Sequence, residues 1–156
     1  MERTLIILKP DAVQRNLCGE IICRFEKKGL QIVGAKFMQI PQSLAETHYE
    51  VHKGKPFYAG LVKFMTSAPV MVLVLQGKDV INIARKMMGK TFGSQAEPGT
   101  IRGDFGVSNS FNLIHGSDSP ESAGRELGLF FKAGELLDWT PTIQTWVYDF
   151  GKGQAE

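Results

Sequence analysis

The sequence is short of nearly everything that marks a secreted, membrane-spanning or metal-scaffolded chain. Its only cysteines are Cys18 and Cys23. On a helix they do not share a face, and no CxxC or Cys/His spacing accompanies them, so they build neither a disulfide framework nor a zinc cluster. They read as free thiols in a reducing compartment. Long apolar runs are also lacking. The first run, residues 4–8, stops at Lys9-Pro10-Asp11 and is too short for a signal core or a membrane span, and no longer one follows. The expectation is a cytoplasmic protein with no membrane partner.

Excess charge is missing too. Eighteen Lys and Arg oppose sixteen Asp and Glu, a net charge of +2, too even to imply a nucleic-acid or membrane surface. No repeat, linker or low-complexity stretch interrupts the chain. What remains is an ordinary globular balance, 43% hydrophobic and 22% charged over 156 residues. That suits one core and one domain spanning 1–156.

Hydrophobic spacing gives the order of elements. Residues 3–8 form a short apolar run that reads as a buried strand, and Pro10 opens a first helical turn. Residues 19–28 carry Ile21, Ile22 and Phe25 as a helical stripe, with Gly29 as the natural C-terminal stop. Residues 30–40 read as a second strand ending at Pro41. Ser43 is placed to cap a short helix bearing Glu46, His48 and Tyr49. Leu61, Phe64 and Met65 sit at helical spacing within 57–66. Residues 70–75 are six consecutive apolar side chains, the pattern of a central strand. Asp79 is placed to cap a helix reaching Met88. Residues 89–106, with five glycines and Pro98, read as a long irregular loop, a common seat of function. Residues 111–115 are a short final strand. Ser119-Pro120 starts a helix that continues through 122–131. An aromatic tail, 139–150, is expected to pack on the body or on a neighbouring subunit. Four strands in this order favour an α+β, ferredoxin-like sandwich with a four-stranded antiparallel sheet over a doubly wound one.

The densest polar cluster is His115-Gly116-Ser117-Asp118-Ser119, where a strand gives way to a helix. Alone, it reads more readily as a strand-end turn with a helix cap than as a site. A neutral imidazole there also has the lone pair to attack phosphorus and hold it covalently. Lys9, Arg85 and Arg102, with the hydroxyl of Thr91, supply the cations and donor that a polyphosphate needs; each alone reads more readily as a solvated surface charge, and placement beside turns and strand ends is what favours a site. Gly89-Lys90-Thr91 is not the end of a P-loop, because Ala84 stands where that pattern needs Gly. Ser117 lacks a GxSxG elbow. Asp104 and Asp118 form no evident metal pair, so no protein side chain is assigned to metal and any Mg2+ arrives with a nucleotide. His48 and His52 read as surface histidines.

These residues fall in blocks that closely resemble the nucleoside diphosphate kinase family. Asn112-Leu113-Ile114-His115-Gly116-Ser117-Asp118 matches its active-site signature. Residues 4–15, 56–62 and 98–105 agree in order and spacing, and the likeness covers residues 3–148. The resemblance implies ping-pong transfer of a terminal phosphate between nucleoside tri- and diphosphates through phosphorylated His115, at Nδ1, with Mg2+ on the nucleotide. It implies that Lys9 and Asn112 hold the ribose, with Tyr49 beside His115 and Lys9. Phe57, near Leu61, stacks on the base. Arg85, Thr91 and Arg102 bind distal phosphates, and Ser117 bonded to Glu126 orients the histidine. A stacked aromatic with no motif-placed Asn or Gln implies broad base tolerance. The assembly implied is a homo-oligomer built from dimers, hexamer or tetramer, with chain length leaning toward the hexamer.

Two stretches depart from the family pattern. Phe92-Gly93 follows Thr91 where the family usually has Asn-Pro or Asp-Pro, which implies a less rigid loop and weaker oligomer contacts. Asn109-Ser110-Phe111 replaces a Gly-containing segment. A catalytically silent nucleotide-binding module is the rival from another class, but it would not need His115, Lys9, Tyr49, Arg85, Arg102, Asn112 and Glu126 together. A DNA-binding regulator finds no basic helix.

Overall fold

The structure, a computed structural model, describes residues 1–156. Its strands are β1 (Glu2–Leu8), β2 (Gln31–Met38), β3 (Val70–Gly77) and β4 (Ile114–Gly116). They form one sheet in the order β2-β3-β1-β4, every neighbouring pair antiparallel. The helices are α1 (Pro10–Gln14), α2 (Cys18–Lys27), α3 (Gln42–His48), α4 (Tyr58–Met65), α5 (Val80–Met88), α6 (Ile101–Phe105), α7 (Pro120–Phe130) and α8 (Gln144–Val147). The strand and crossover order is that of the ferredoxin-like α+β sandwich, with helices added to it. No helix is long and apolar enough to cross a membrane.

The sheet is buried on both faces, which is why β1 and β3 read as continuous apolar runs rather than alternating ones. Ile6 and Leu8 point to one face, joining Leu73, Leu75 and Ile114 against Ile21 and Phe25 of α2 and Val80, Ala84 and Met88 of α5. Leu5 and Ile7 point to the other, joining Val33, Val72 and Val74 against Ala45 of α3, Val62 and Met65 of α4, and Phe130 of α7. This alternation aims the site. His115 lies opposite Ile7 in the β1–β4 pairing, so its side chain stands on the face of α3 and α7.

Several local expectations change. Ser43 is not the cap of α3, which starts at Gln42 behind Pro41 and ends before Tyr49. Asp79 sits at φ +52 and makes no cap bond to the backbone; its Oδ1 accepts from Asn82 Nδ2 at 2.6 Å. The last strand begins at Ile114 rather than Phe111, because Leu113 has φ +71 and breaks the extended path. Residues 89–106 are not irregular throughout. A 3-10 turn at Gly93–Gln95 and helix α6 occupy them, and the Thr100 hydroxyl accepts from the Gly103 amide at 3.0 Å to start α6. Gly93 is buried against Gly106; a Cβ at Gly93 would lie 2.2 Å from the Gly106 carbonyl oxygen. Phe92-Gly93 therefore follows a backbone path that no proline fits.

Cys18 and Cys23 lie on α2 as free thiols. The C-terminal tail packs on the body along the free edge of β2. The Leu137 amide donates to the Val33 carbonyl at 2.8 Å, Trp139 Nε1 donates to the Ile32 carbonyl at 3.1 Å, and Gln31 Nε2 donates to the Trp139 carbonyl at 2.6 Å. These bonds cover what would be an open sheet edge. Trp146 nonetheless stays 90% exposed.

Candidate active site

Two backbone bonds anchor β4 beyond its ladder. The Lys9 amide donates to the Leu113 carbonyl at 2.8 Å, and the Ser117 amide donates to the Leu5 carbonyl at 3.1 Å. Asp11 Oδ2 accepts from the Leu113 amide at 3.0 Å, holding the left-handed turn that starts the strand. Around this short strand the fold gathers most of the residues singled out from the sequence.

Beneath His115 lies Glu126, 5% exposed on α7. Its Oε2 is 3.0 Å from His115 Nε2 and accepts from the Ser117 hydroxyl at 2.6 Å, while Ser117 Oγ accepts from the Leu5 amide at 3.2 Å. Burial by itself would raise the Glu126 carboxyl. The hydrogen bond and charge of His115, the Ser117 hydroxyl and His48 outweigh it and hold the group below its ordinary value. An ionised carboxylate only accepts, so Nε2 carries the His115 proton and Nδ1 keeps the lone pair.

The cationic side converges from three elements. Lys9, 7% exposed at the end of β1, donates from Nζ to Asn112 Oδ1 at 2.7 Å, and Asn112 Nδ2 donates to the Thr91 carbonyl at 2.9 Å. Arg102 of α6 donates to the carbonyls of Asn112 (3.2 Å), Gly89 (3.0 Å) and Ile114 (2.6 Å). Arg85 of α5 donates to the Gly116 carbonyl at 3.3 Å. Burial first, then the charge of Arg102, pushes the Lys9 ammonium down to about 8, with Asp11 opposing. Burial and then Arg85 push the Arg102 guanidinium down to about 10, where it stays cationic at neutral pH. Like charges gathered here, with Lys9 and Arg102 buried, call for an anion.

Tyr49 is buried, its ring edge-on to His115 with centroids 6.1 Å apart. Burial, and then the charge of Glu126, raise its hydroxyl, which stays protonated and has no protein partner. Phe57 is exposed, tilted against His52 at 5.3 Å, and Leu61 is partly buried against the second face of the sheet. Gly89 ends α5 at φ +83, and a Cβ there would meet the Thr100 hydroxyl at 2.4 Å. The turn carrying Thr91 toward Asn112 thus requires glycine.

One histidine lies elsewhere than its sequence suggests. His48 is no surface histidine: it is 2% exposed and edge-on to His115, ring centroids 4.7 Å apart. The signal was present, since Ala45, His48 and Tyr49 lie at i, i+3 and i+4. Burial first, then the proximity of His115, pushes its imidazole down to about 3, so it is neutral.

This is an anion site around a histidine with a free Nδ1. A family profile described as nucleoside diphosphate kinase matches residues 2–136. The chain belongs to the nucleoside diphosphate kinase family. A nucleoside diphosphate kinase of Carboxydothermus hydrogenoformans is 60% identical over 149 residues, 96% of this chain and 100% of that one. One from Staphylococcus saprophyticus is 56% identical over the same shares. Among solved structures, a halophilic nucleoside diphosphate kinase from Halobacterium salinarum in complex with CDP superposes with TM-score 0.93 at 49% identity, covering 95% of this chain and 99% of that one. A nucleoside diphosphate kinase family protein from Babesia bovis gives 0.92 at 44% identity, covering 95% and 100%. The fold likeness extends over the site and the helices added around it.

Proposed function

We propose that this chain moves the terminal phosphate of a nucleoside triphosphate onto His115 Nδ1 and from there to a nucleoside diphosphate. The observation that carries the reading is the 3.0 Å approach of His115 Nε2 to Glu126 Oε2: an ionised carboxylate there accepts from Nε2–H, which leaves Nδ1 as nucleophile among Lys9, Arg85 and Arg102. In the first half-reaction the Nδ1–P bond forms and the bond from phosphorus to the β,γ-bridging oxygen breaks. The electron pair leaves with the diphosphate. The ring gains positive charge as it bonds phosphorus, and Glu126 across from Nε2–H offsets it. The second half-reaction runs the same step backward onto a new diphosphate.

The surrounding residues position and neutralise. Phosphoryl transfer asks chiefly for alignment and for cancellation of charge on the equatorial oxygens. Arg85, Arg102 and Thr91 serve the phosphates, Lys9 and Asn112 the ribose, and Phe57 with Leu61 the base. Tyr49 and His48 hold the His115 ring from its edges. The only carboxylate buried beside the histidine is Glu126, already engaged by His115 and Ser117. The donor set therefore suits a metal–nucleotide substrate, with Mg2+ carried on the phosphates and screening their charge.

Incubation with γ-labelled ATP tests the reading. The wild type takes up acid-labile, base-stable label and passes it to dTDP. His115→Ala takes up none; equal labelling of both would overturn the assignment. The same reading includes a single domain over 1–156, a cytoplasmic setting and a homo-oligomer built from dimers. The exposed Phe37, Leu137, Ile143 and Trp146 support the last point, and light scattering measures the assembly.

A further inference from the structure

We propose that His48, His115 and Glu126 form a binding site for a borderline transition-metal ion of the Zn2+ type, and that filling it disables His115 as a phosphoryl acceptor. One ring nitrogen from each histidine and one carboxylate oxygen lie within 4.8 Å of one another. His115 Nε2 and Glu126 Oε2 are already 3.0 Å apart, a little closer than the roughly 3.3–3.6 Å between two ligands of a tetrahedral ion at about 2.0–2.2 Å. Binding would draw the His48 ring inward to complete the set, because an ion at about 2.0–2.2 Å spans at most about 4.4 Å between two ligands.

His48 is the second, independent sign. It is 2% exposed, and neither of its ring nitrogens has a protein partner. A buried donor and acceptor left unpaired is unfavourable, and most such groups are satisfied. A metal ion meets that need at one nitrogen. Two imidazoles and one carboxylate suit Zn2+, Co2+ or Ni2+, whereas Mg2+ and Ca2+ prefer oxygen alone. The Ser117 hydroxyl, donating to Glu126 at 2.6 Å, holds the carboxylate in place. The His115 side chain is 21% exposed, which leaves a way in and a fourth ligand position for water.

Inactivation follows from the tautomer. A neutral imidazole bonded to metal through Nε2 carries its proton on Nδ1. The Nε2 proton passes to solvent and Nδ1 takes one up, so none is gained or lost overall. Nδ1 then has no lone pair to offer phosphorus. Lys9, Asn112 and Arg102 are untouched, so nucleotide binding persists while transfer stops. That consequence rests on His115 being the phosphoryl acceptor; the metal site itself does not.

Titration of the chelator-treated enzyme with Zn2+ at pH 7 should give one ion per chain. Co2+ as a probe should give the intense visible bands of a four-coordinate site. His48→Asn should lose both, and His52→Asn should keep both. Absence of binding in the wild type, equal binding by His48→Asn, or loss in His52→Asn would overturn the site. Should His48→Asn fail to fold by circular dichroism, imidazole NMR of the wild type decides. Zn2+ must then shift His48 and His115 and leave His52 in place, and any other pattern refutes it. With Mg2+ in hundredfold excess over Zn2+, labelling from γ-labelled ATP should fall at least tenfold and return with a zinc-selective chelator. Binding without loss of label would overturn the inactivation.

Discussion

Replacing Lys9 by Met should make the free enzyme's stability less dependent on pH in the alkaline range. The Lys9 ammonium falls from 10.5 to about 8 through burial, with Arg102 adding to the effect, which corresponds to about 3 kcal/mol. The sign is set by proton counts. Between pH 8 and 10.5 the unfolded chain holds the Lys9 proton and the folded chain has released it. Stability therefore rises with pH across that window, and the full cost is present below pH 8. The substitution removes this cost and also the 2.7 Å bond to Asn112, worth about 1–3 kcal/mol. At pH 7 the variant should be as stable as the wild type or up to about 2 kcal/mol more so, the difference between those two figures. The wild-type minus variant difference should then climb by about 3 kcal/mol between pH 8 and 10.5. Taking this difference cancels the other groups that titrate there. Urea midpoints at matched protein concentration measure it, since an oligomer's stability depends on concentration. A difference flat over that range would refute the claim that Lys9 is held charged at a cost. The same variant should bind ADP more weakly, because the nucleotide's negative charge offsets that cost in the wild type.

Three further substitutions probe other parts of the site. Glu126→Gln replaces a charge-assisted bond by a neutral one, a loss of about 1.4 kcal/mol that should slow single-turnover phosphorylation about tenfold in rapid quench; an unchanged rate would remove Glu126 from the mechanism. Phe57→Ala should weaken binding of purine and pyrimidine nucleotides alike, by about 1–3 kcal/mol per stacked base, read as KM with kcat nearly constant; loss confined to one base would argue against stacking. Gly93→Ala should lower stability by about 1–3 kcal/mol, because its Cβ would stand 2.2 Å from the Gly106 carbonyl oxygen; thermal melts that match the wild type would show that the segment yields freely.

The elements legible in the sequence are those whose burial writes a simple pattern. β1 and β3 are covered on both faces and read as unbroken apolar runs. α7 announces itself through Ser119 as cap and Pro120 at its first position, and the Ser119 hydroxyl accepts from the Ser122 amide at 3.0 Å. The start of β4 was not legible, because a left-handed leucine at 113 is held by the distant Asp11 carboxylate and nothing in its residue type foretells it. Likewise α6 hides in a glycine-rich stretch whose close approaches, not its periodicity, fold it. Within the site, the His115, Lys9 and Arg102 cluster was visible as motif chemistry. The individual roles came from resemblance, and the burial of His48 was signalled by its i+3 spacing from Ala45, though its contact with His115 rests on the packing of α3 on α7.

The way β4 is fastened has a consequence for how the enzyme moves. Bonds to Lys9 and Leu5 on either side, and a ladder on the interior strand β1, leave the nucleophile no hinge of its own. Amide exchange at Lys9 and Ser117, whose N–H groups make those bonds, should thus wait on global unfolding, while residues 51–57 exchange through local opening. Changes in which nucleotides are accepted fall to the outer rim around Phe57 and 89–106, and the reacting atom keeps its address.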